Sequence, residues 1–294
     1  MATIGFIGLG TMGREMALNL AKAGFEVQGF DLRAGAAEEL TSLGVRAAGS
    51  LSGATRNADA VITMLPDTPD VEAVVYAKDG LLANPPTGKL VVDMSTIAPD
   101  AVRRIHADCA KVDVDFLDAP VSGGPIGAKN ATLSIMVGGR QEAFDRARPI
   151  LAGMGTTITR VGDSGAGQTV KLCNQLVCGL NIQAVCEAIA LARASGVDLA
   201  QLRDVLMGGS AASWMLDKLG PAMIDGDTKA GFRIDLMLKD LRLVQQQALT
   251  LGVPLPGTAQ MTSLYVAARA HHEGDNGNQA LFRVYDRLAN QSAR

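Results

Sequence analysis

The stretch Gly8-Leu9-Gly10-Thr11-Met12-Gly13 decides the fold of the first part of this chain. It directly follows an apolar run, Ile4–Ile7, that predicts a strand, and it directly precedes a helical pattern that begins at Met16. Glycines spaced G-x-G-x-x-G between a strand and a helix have separate tasks. The first makes the tight turn, the second lets the backbone approach a pyrophosphate, and the third permits close helix–strand packing. The stretch therefore predicts a dinucleotide-binding turn whose six residues contact the cofactor, with phosphates at the helix N-terminus.

An acidic residue follows at the place where this fingerprint expects one, about twenty residues further on. Asp31 ends the predicted strand Glu26–Asp31, and its carboxylate can accept hydrogen bonds from the hydroxyls of the adenine ribose. A carboxylate at this position also repels a 2′-phosphate, which favours NAD over NADP. Arg33 keeps NADP open as an alternative, because its guanidinium could bind that phosphate.

The first half of the chain alternates short β-rich runs with segments of helical period, such as Met12–Ala23 and Pro99–Ala110. This alternation is the signature of a parallel sheet with helices on both faces, since parallel strands need crossover connections. We therefore predict an α/β Rossmann domain over residues 1–163. Its candidate strands are Thr3–Gly8, Glu26–Asp31, Ala60–Leu65, Leu90–Met94, Asp115–Asp118 and Thr132–Val137.

The pattern changes near Gly162, after which strand patterns stop. One long helical stretch runs from Gln168 to Ala194 without a proline. Three further segments of helical period follow it: Leu199–Met207, Ile234–Leu251 and Gly257–His272. We therefore predict an all-helical C-terminal domain over residues 164–294, whose first element, residues 164–194, is a long interdomain helix.

Composition and charge exclude several classes of protein. The 294 residues are 48% hydrophobic and 19% charged, and the net charge of −3 provides no basic surface for nucleic acid. Apolar runs are interrupted before the ~20 residues of a membrane span, and no basic segment of a secretory signal precedes them, so we expect a soluble, cytoplasmic protein. The four cysteines form no C-x-x-C pair, which indicates reduced, packed thiols and predicts no metal site.

The segment Asp118-Ala119-Pro120-Val121-Ser122-Gly123-Gly124 predicts a loop at the end of a strand. Ligands of open α/β sheets bind outside the carboxyl ends of the strands. Ser122 offers a hydroxyl, and Gly123 and Gly124 let backbone N–H groups reach an anion such as a substrate carboxylate. A flexible turn without a ligand is the alternative.

A second polar segment, Gly165–Gln175, opens the long helix. Lys171 and Asn174 lie three residues apart and share one helix face with Cys178. A lysine on an apolar helix is a candidate acid for carbonyl reduction, because hydride addition creates an alkoxide that must be protonated. Asn174 could orient the substrate or the ammonium. A lysine that extends its charge to solvent is an equally good interpretation of the spacing.

A third segment, Gly231–Leu241, begins a C-terminal helix. Asp235 and Lys239 are four residues apart, and this spacing by itself favours an ordinary ion pair on the helix surface.

These segments, with two more, occur in an order that resembles the β-hydroxyacid dehydrogenase family, which includes 3-hydroxyisobutyrate dehydrogenases and 2-hydroxy-3-oxopropionate (tartronate semialdehyde) reductases. The motifs span most of the chain, and their joint order is far more specific than any one of them. They are Gly8–Gly13 with Met16-Ala17 and Asn19-Leu20, Thr63–Pro66, Asp93–Pro99, Asp118–Gly124, Gly165–Asn174 and Gly231–Leu241.

The resemblance implies a Rossmann domain, a long interdomain helix and a helical domain that supports homodimers or homotetramers. It also implies roles for single residues. By resemblance Lys171 is the catalytic lysine and Asn174 its partner, Ser122, Gly123 and Gly124 bind the substrate carboxylate, Leu65, Pro66 and Thr96 contact the cofactor, and Lys239 lies near the nicotinamide and the substrate.

The resemblance also indicates a substrate class, a small β-hydroxyacid or its semialdehyde. The string Gly231–Leu236 is more similar to the 2-hydroxy-3-oxopropionate reductases than to the 3-hydroxyisobutyrate dehydrogenases, whereas Asn174-Gln175 departs from the two asparagines frequent in the family. A 3-hydroxyisobutyrate dehydrogenase, or another semialdehyde or glyoxylate reductase, is the alternative enzyme. A dinucleotide-binding module without catalysis is the alternative of another class.

Overall fold

The computed structural model describes residues 1–289, which divide into two compact units, Met1–Lys171 and a second unit that begins at Leu172. The strands are β1 Thr3–Ile7, β2 Glu26–Phe30, β3 Val45–Ala47, β4 Ala60–Thr63, β5 Leu90–Asp93, β6 Asp115–Asp118, β7 Val121–Ser122, β8 Leu133–Gly138 and β9 Gly155–Gly162. The helices are α1 Thr11–Lys22, α2 Leu51–Thr55, α3 Thr68–Tyr76, α4 Pro99–Ala110, α5 Gly124–Lys129, α6 Gln141–Leu151, α7 Ala166–Ala194, α8 Leu199–Met207, α9 Trp214–Asp225, α10 Ile234–Leu251, α11 Pro256–Ala270 and α12 Phe282–Leu288.

The strands of the first unit form one sheet in the order β3-β2-β1-β4-β5-β6-β8-β7, with β9 paired to β8. Strands β1 to β6 are parallel, whereas β8 runs antiparallel to β6 and β7. The order of the six parallel strands is that of a dinucleotide-binding Rossmann fold, in which the strand order reverses between β1 and β4. The prediction of a Rossmann sheet is therefore confirmed.

Both faces of this sheet are buried, which explains why its strands are continuously apolar. Side chains of a strand alternate between the two faces. Ile62 and Val92 belong to the core cluster on one face, and their neighbours Val61 and Val91 belong to the cluster on the other. A strand with polar residues at alternate positions would leave one of these cores incomplete.

Three strands escaped prediction. Strands β3 and β7 have only three and two residues, too few to show a pattern. Strand β9 is eight residues long, but of these only Gly155 is buried, so its sequence lacks the apolar run of a central strand. Pairing with β8, rather than an apolar sequence pattern, makes β9 a strand of the sheet.

Helices pack around a separate core in the second unit. Its buried members include Ile182 and Ile189 of α7, Met237 and Leu241 of α10, and Tyr265 of α11. The predicted helices Leu199–Met207 and Ile234–Leu251 are found with those bounds, and Gly257–His272 is found as Pro256–Ala270.

Helix α9 was not predicted because Gly220 and Pro221 lie inside it, and both residues disfavour a helix interior. The Ser213 side chain starts this helix by accepting a hydrogen bond from the Leu216 amide at 3.1 Å. The helical character of the C-terminal part of the chain is confirmed.

Helix α7 is, within residues 1–289, the one helix long and apolar enough by composition to cross a membrane, which the sequence pattern did not anticipate. The same properties belong to core helices of globular domains. Here α7 carries buried polar side chains along much of its length, among them Gln168, Lys171, Gln175 and Gln183. This distribution, together with its share in the helical core, is typical of a helix packed inside a folded domain.

Candidate active site

The glycine turn between β1 and α1 has the shape that a pyrophosphate needs. Gly8 adopts a φ of +95°, and its amide donates to the Phe30 carbonyl of β2 at 2.9 Å. A Cβ on Gly13 would lie 1.9 Å from the Gly8 carbonyl oxygen, so α1 packs against the turn with no room for a side chain. A Cβ on Gly10 would meet nothing within 4 Å, and no side chain caps α1 at this residue. The first turn of α1 thus combines open space with backbone N–H groups that can receive an anion.

Asp31 lies at this turn, as predicted from its place after β2. One carboxylate oxygen accepts from the Leu9 amide at 2.6 Å, and the other accepts from the Arg33 amide at 2.8 Å. Each oxygen of a carboxylate has two acceptor positions, so both keep one for a ribose hydroxyl. The Arg33 side chain is exposed. The open space at Gly10 and the fixed carboxylate of Asp31 together fit a dinucleotide.

The other predicted cofactor contacts follow β4 and β5, at the same edge of the sheet. Leu65 and Pro66 come after β4, Thr96 comes after β5, and all three are at least partly accessible. The hydroxyl of Ser95 accepts from the Leu65 amide at 2.8 Å, which ties the two segments together. Because the carboxyl ends of parallel strands share one edge, these residues continue the edge on which the glycine turn lies.

The buried carboxyl of Asp93 links the ends of β4 and β5. Asp93, the last residue of β5, accepts from the Thr63 hydroxyl at 2.7 Å and from the Ser95 amide at 3.2 Å through the same oxygen. Burial raises the pKa of Asp93 to about 6, although the hydrogen bonds from Ser95 and Thr63 lower it.

The predicted Asp118–Gly124 loop contains more structure than the sequence suggested. Ser122 belongs to β7 and pairs with Ser134 of β8. Gly123 and Gly124 have φ values of +131° and +59°, and Gly124 is the first residue of α5. The description of this segment as a loop was therefore wrong in part. Asp118 ends β6, two further residues form β7, and only Ala119, Pro120 and Gly123 lie outside strands and helices.

Asp118 connects the end of β6 to the start of α7. Its two carboxylate oxygens accept from the Gly165 amide at 2.9 Å and from the Gln168 amide at 2.8 Å. Burial raises the pKa of Asp118 to about 6, while these backbone hydrogen bonds lower it. A carboxylate at a helix N-terminus satisfies amides that have no intrahelical partner. The sequence pattern alone does not reveal this role of Asp118.

Lys171 lies one turn further along α7, with only 6% of its surface exposed. This burial argues against a lysine that extends its charge to solvent. Lys171 and the Ser122 turn belong to the first unit, and Asn174 and Lys239 belong to the second. Among residues 1–289 no group of histidine, cysteine or acidic side chains is arranged to hold a metal ion.

Within the second unit a chain of polar contacts joins Asn174 to Lys239. The Asn174 amide donates to the Gln175 oxygen at 2.8 Å, and the Gln175 amide donates to Asp240 at 2.5 Å. The Lys239 Nζ lies 2.8 Å from the other oxygen of Asp240. The Asn174 amide also lies 3.5 Å from the Cys178 sulfur, its neighbour on the same helix face.

The spacing of Asp235 and Lys239 had favoured a surface ion pair, and that interpretation was wrong. The Lys239 side chain is 15% exposed and its acidic neighbour Asp240 only 2%, so the lysine lies in a largely buried contact. Asp240 and Gln175 were missed by sequence reasoning. An acidic residue between Leu238 and Leu241 on a buried helix was the available signal for Asp240.

Comparison with known proteins matches both parts of the chain. Residues 3–162 match the family model described as the NAD binding domain of 6-phosphogluconate dehydrogenase. Residues 165–285 match the model described as NAD-binding of NADP-dependent 3-hydroxyisobutyrate dehydrogenase.

Individual relatives cover nearly the whole length. The chain is 41% identical to 2-hydroxy-3-oxopropionate reductase of Escherichia coli, over 98% of both chains. It is also 41% identical to 3-hydroxyisobutyrate dehydrogenase of Pseudomonas aeruginosa, over 93% of this chain and 95% of that one. The structure of Mycobacterium tuberculosis 3-hydroxyisobutyrate dehydrogenase with L-serine superimposes with a TM-score of 0.88 at 37% identity, covering 96% of this chain and 98% of that one. With its NAD(P)-binding Rossmann domain and helical C-terminal region, the chain is an oxidoreductase that belongs to the β-hydroxyacid dehydrogenase family.

Proposed function

We propose that this protein is an NAD(P)-dependent dehydrogenase of a small β-hydroxyacid, or reductase of the corresponding semialdehyde, with Lys171 as its general acid and base. The observation that carries the proposal is the burial of Lys171 on α7, one turn beyond the amides that Asp118 holds. A buried ammonium is retained in a protein only where its charge is compensated or used.

The bound nicotinamide supplies the hydride in reduction and accepts it in oxidation. Lys171 gives a proton to the carbonyl oxygen as hydride arrives at the carbon, and takes the hydroxyl proton in the reverse direction. The Ser122 hydroxyl and the amides of Gly123 and Gly124 hold the substrate carboxylate. The positive φ values of the two glycines support this role, because glycine adopts them without strain and has no side chain to keep a ligand from the backbone. Asn174 and Lys239 orient the substrate.

We propose 2-hydroxy-3-oxopropionate as the first substrate to test, with 3-hydroxyisobutyrate as the second candidate. The relative from E. coli and the segment Gly231–Leu236 support the first. The relative from P. aeruginosa is equally similar and supports the second. The preferred cofactor in this proposal is NAD. Asp31 supports it, because its fixed carboxylate at the turn disfavours a 2′-phosphate, whereas Arg33 is the residue that would accommodate NADP.

The proposal includes a cytoplasmic homodimer or homotetramer without a nucleic-acid or membrane partner. The net charge of −3 supports the absence of a nucleic-acid partner. The family resemblance supports association, and the second unit exposes large apolar side chains, namely Leu191, Val205 and Leu249, which are 72%, 74% and 83% exposed. Light scattering during size exclusion measures the mass directly, and a monomer would contradict this part of the proposal.

The test is a panel of β-hydroxyacids and semialdehydes, assayed with NAD(H) and NADP(H) in both directions. The panel includes 2-hydroxy-3-oxopropionate, glyoxylate, succinic semialdehyde, 3-hydroxyisobutyrate and L-serine. We expect turnover on at least one compound and the highest kcat/KM on 2-hydroxy-3-oxopropionate. Tight cofactor binding with no turnover on any of them would support the module without catalysis instead.

A further inference from the structure

Gln168 is a fully buried glutamine whose side-chain nitrogen and oxygen both form hydrogen bonds. Its nitrogen donates to the Ser95 carbonyl at 2.8 Å, and its oxygen accepts from the Ile97 amide at 3.1 Å. These two partners flank Thr96, the predicted cofactor contact after β5. One side chain on α7 therefore fixes the backbone on both sides of Thr96.

The main chain of Gln168 is fixed as firmly as its side chain. Its amide donates to Asp118, which also receives the Gly165 amide. A Cβ on Gly167 would lie 2.5 Å from the Met136 carbonyl oxygen and 2.6 Å from that of Asp118, so the sheet edge and the helix are in direct backbone contact. These contacts anchor the first turn of α7 against β6 and β8.

The segment that Gln168 holds is tied further along the sheet edge. Ser95 accepts from the Leu65 amide through its hydroxyl, and its own amide donates to Asp93. Lys171 follows Gln168 by three residues in the same helix. Beside the backbone contacts of Asp118 and Gly167, the Gln168 side chain thus links the Ser95–Ile97 segment directly to the helix that carries the predicted proton donor.

We propose that Gln168 is a positioning residue that keeps the Ser95–Ile97 segment in register with the α7 turn carrying Lys171. This role rests on the proposed function, since it matters for catalysis only if Lys171 protonates a group that receives hydride beside Thr96. Misplacement of reacting groups by about 1 Å can cost about 10²-fold in rate, so the loss of Gln168 should appear in kcat.

Two substitutions separate the hydrogen bonds from the packing. Gln168→Met keeps the length of the side chain and removes both bonds. Gln168→Glu keeps an acceptor for the Ile97 amide, and its protonated form also keeps a donor for the Ser95 carbonyl. The introduced carboxyl would be fully buried, with the carboxyls of Asp93 and Asp118 nearby and Lys171 on its own helix. Burial and the two acids favour its protonated form, while the lysine favours its ionised form.

The activity assay compares these variants with Gln183→Met, a matched control that removes a similarly buried glutamine of α7 whose amide donates to Glu187. We expect Gln168→Met to lower kcat by about 10- to 100-fold at all pH values with a much smaller change in KM. Gln168→Glu should approach wild-type kcat at acidic pH and lose activity as pH rises, which adds an ionisation absent from the wild type and from Gln168→Met. Gln183→Met should leave kcat unchanged.

Hydrogen exchange gives a second readout that does not depend on turnover. The Ile97 amide should exchange at least about tenfold faster in Gln168→Met than in the wild type, because its acceptor is gone. It should stay protected in Gln168→Glu, and the Gln168 amide position, bonded to Asp118, should stay protected in both variants.

Each outcome decides one of the two proposals. Absence of turnover in the wild type defeats the proposed function, while exchange at Ile97 still tests the tether. An active wild type with unchanged kcat in Gln168→Met overturns the positioning role, even if the variant unfolds more easily. Unchanged exchange at Ile97, or a pH profile of Gln168→Glu that parallels the wild type, also overturns it.

Discussion

Alanine at Gly13 should destabilise this protein, whereas alanine at Gly10 should weaken cofactor binding with little effect on stability, although both glycines belong to one turn. The Cβ of Gly13→Ala would lie 1.9 Å from the Gly8 carbonyl oxygen and 3.1 Å from the Phe6 ring. Real Cβ atoms stay at least 3.0 Å from such atoms, so α1 must move away from β1 by about 1 Å. The Cβ of Gly10→Ala would enter open space, and the φ of −68° at Gly10 suits alanine.

The magnitude for Gly13→Ala follows from the rigidity of what it meets. Overpacking a core costs typically about 1–3 kcal/mol, and a backbone carbonyl yields less than a side chain, so we expect about 3 kcal/mol or more. In a unit of this size that loss lowers Tm by about 6–12 °C. Gly10→Ala should change Tm by no more than about 1–2 °C, since it neither clashes nor strains the backbone.

Cofactor binding is the property that Gly10→Ala should change. The added methyl group of Gly10→Ala occupies the space that the turn leaves open for a pyrophosphate, so the Kd for NAD and NADP should rise at least about tenfold, or about 1.4 kcal/mol. Calorimetric titration measures Kd, and thermal unfolding without cofactor measures Tm. Gly49→Ala is the matched control, because its Cβ meets nothing within 4 Å and its φ is outside the left-handed region.

Two results would refute this reasoning. A Gly10→Ala variant that binds NAD as tightly as the wild type would show that the pyrophosphate does not approach this glycine. A Gly13→Ala variant with an unchanged Tm would show that the close contact between α1 and the turn does not limit the packing of the unit.

Three further predictions concern single side chains. Lys171→Ala should lower kcat by about 10²–10⁴-fold. The control Lys111→Ala, at a lysine that is 73% exposed, should leave kcat unchanged. Near-full turnover of Lys171→Ala would end the assignment of Lys171 as the general acid. Asp31→Ala should lower the ratio of kcat/KM with NAD to kcat/KM with NADP, because the carboxylate that disfavours a 2′-phosphate is gone. An unchanged ratio would contradict the contact of Asp31 with the ribose. Asp93 has a folded pKa raised to about 6, so its contribution to stability is present below its unfolded pKa and is lost as pH rises through about 6. Urea unfolding should therefore show that the free energy of unfolding of the wild type declines from pH 4 to pH 7, and that this decline is about 3 kcal/mol smaller in Asp93→Asn. If the free energies of the two proteins changed with pH in parallel, Asp93 would not be the group responsible.

Local sequence signals account for much of the fold. Helix α10 was predicted with its observed bounds because its apolar residues recur at helical spacing and Gly252, which adopts a φ of +67°, ends it. The runs at Val61-Ile62 and Val91-Val92 indicated strands buried on both faces, and the structure has them so. Where the local signal conflicts with the outcome, as at Pro221 inside α9, the sequence pattern failed because packing outweighs propensity.

Some residues of the candidate site could be identified from local sequence, and others only from the tertiary structure. The sequence by itself determined the glycine turn and its acidic partner Asp31, because spacing along the chain specifies them. For Lys171 the spacing left two interpretations, and only its burial in the structure argues against the solvent-exposed one. Only the tertiary structure assigned partners to Gln168 and Asp240. The Gln168 side chain meets Ser95 across 73 residues, and Asp240 meets Gln175 across 65. A local pattern carries no record of such contacts, because they exist only once strands and helices from distant parts of the chain have packed together.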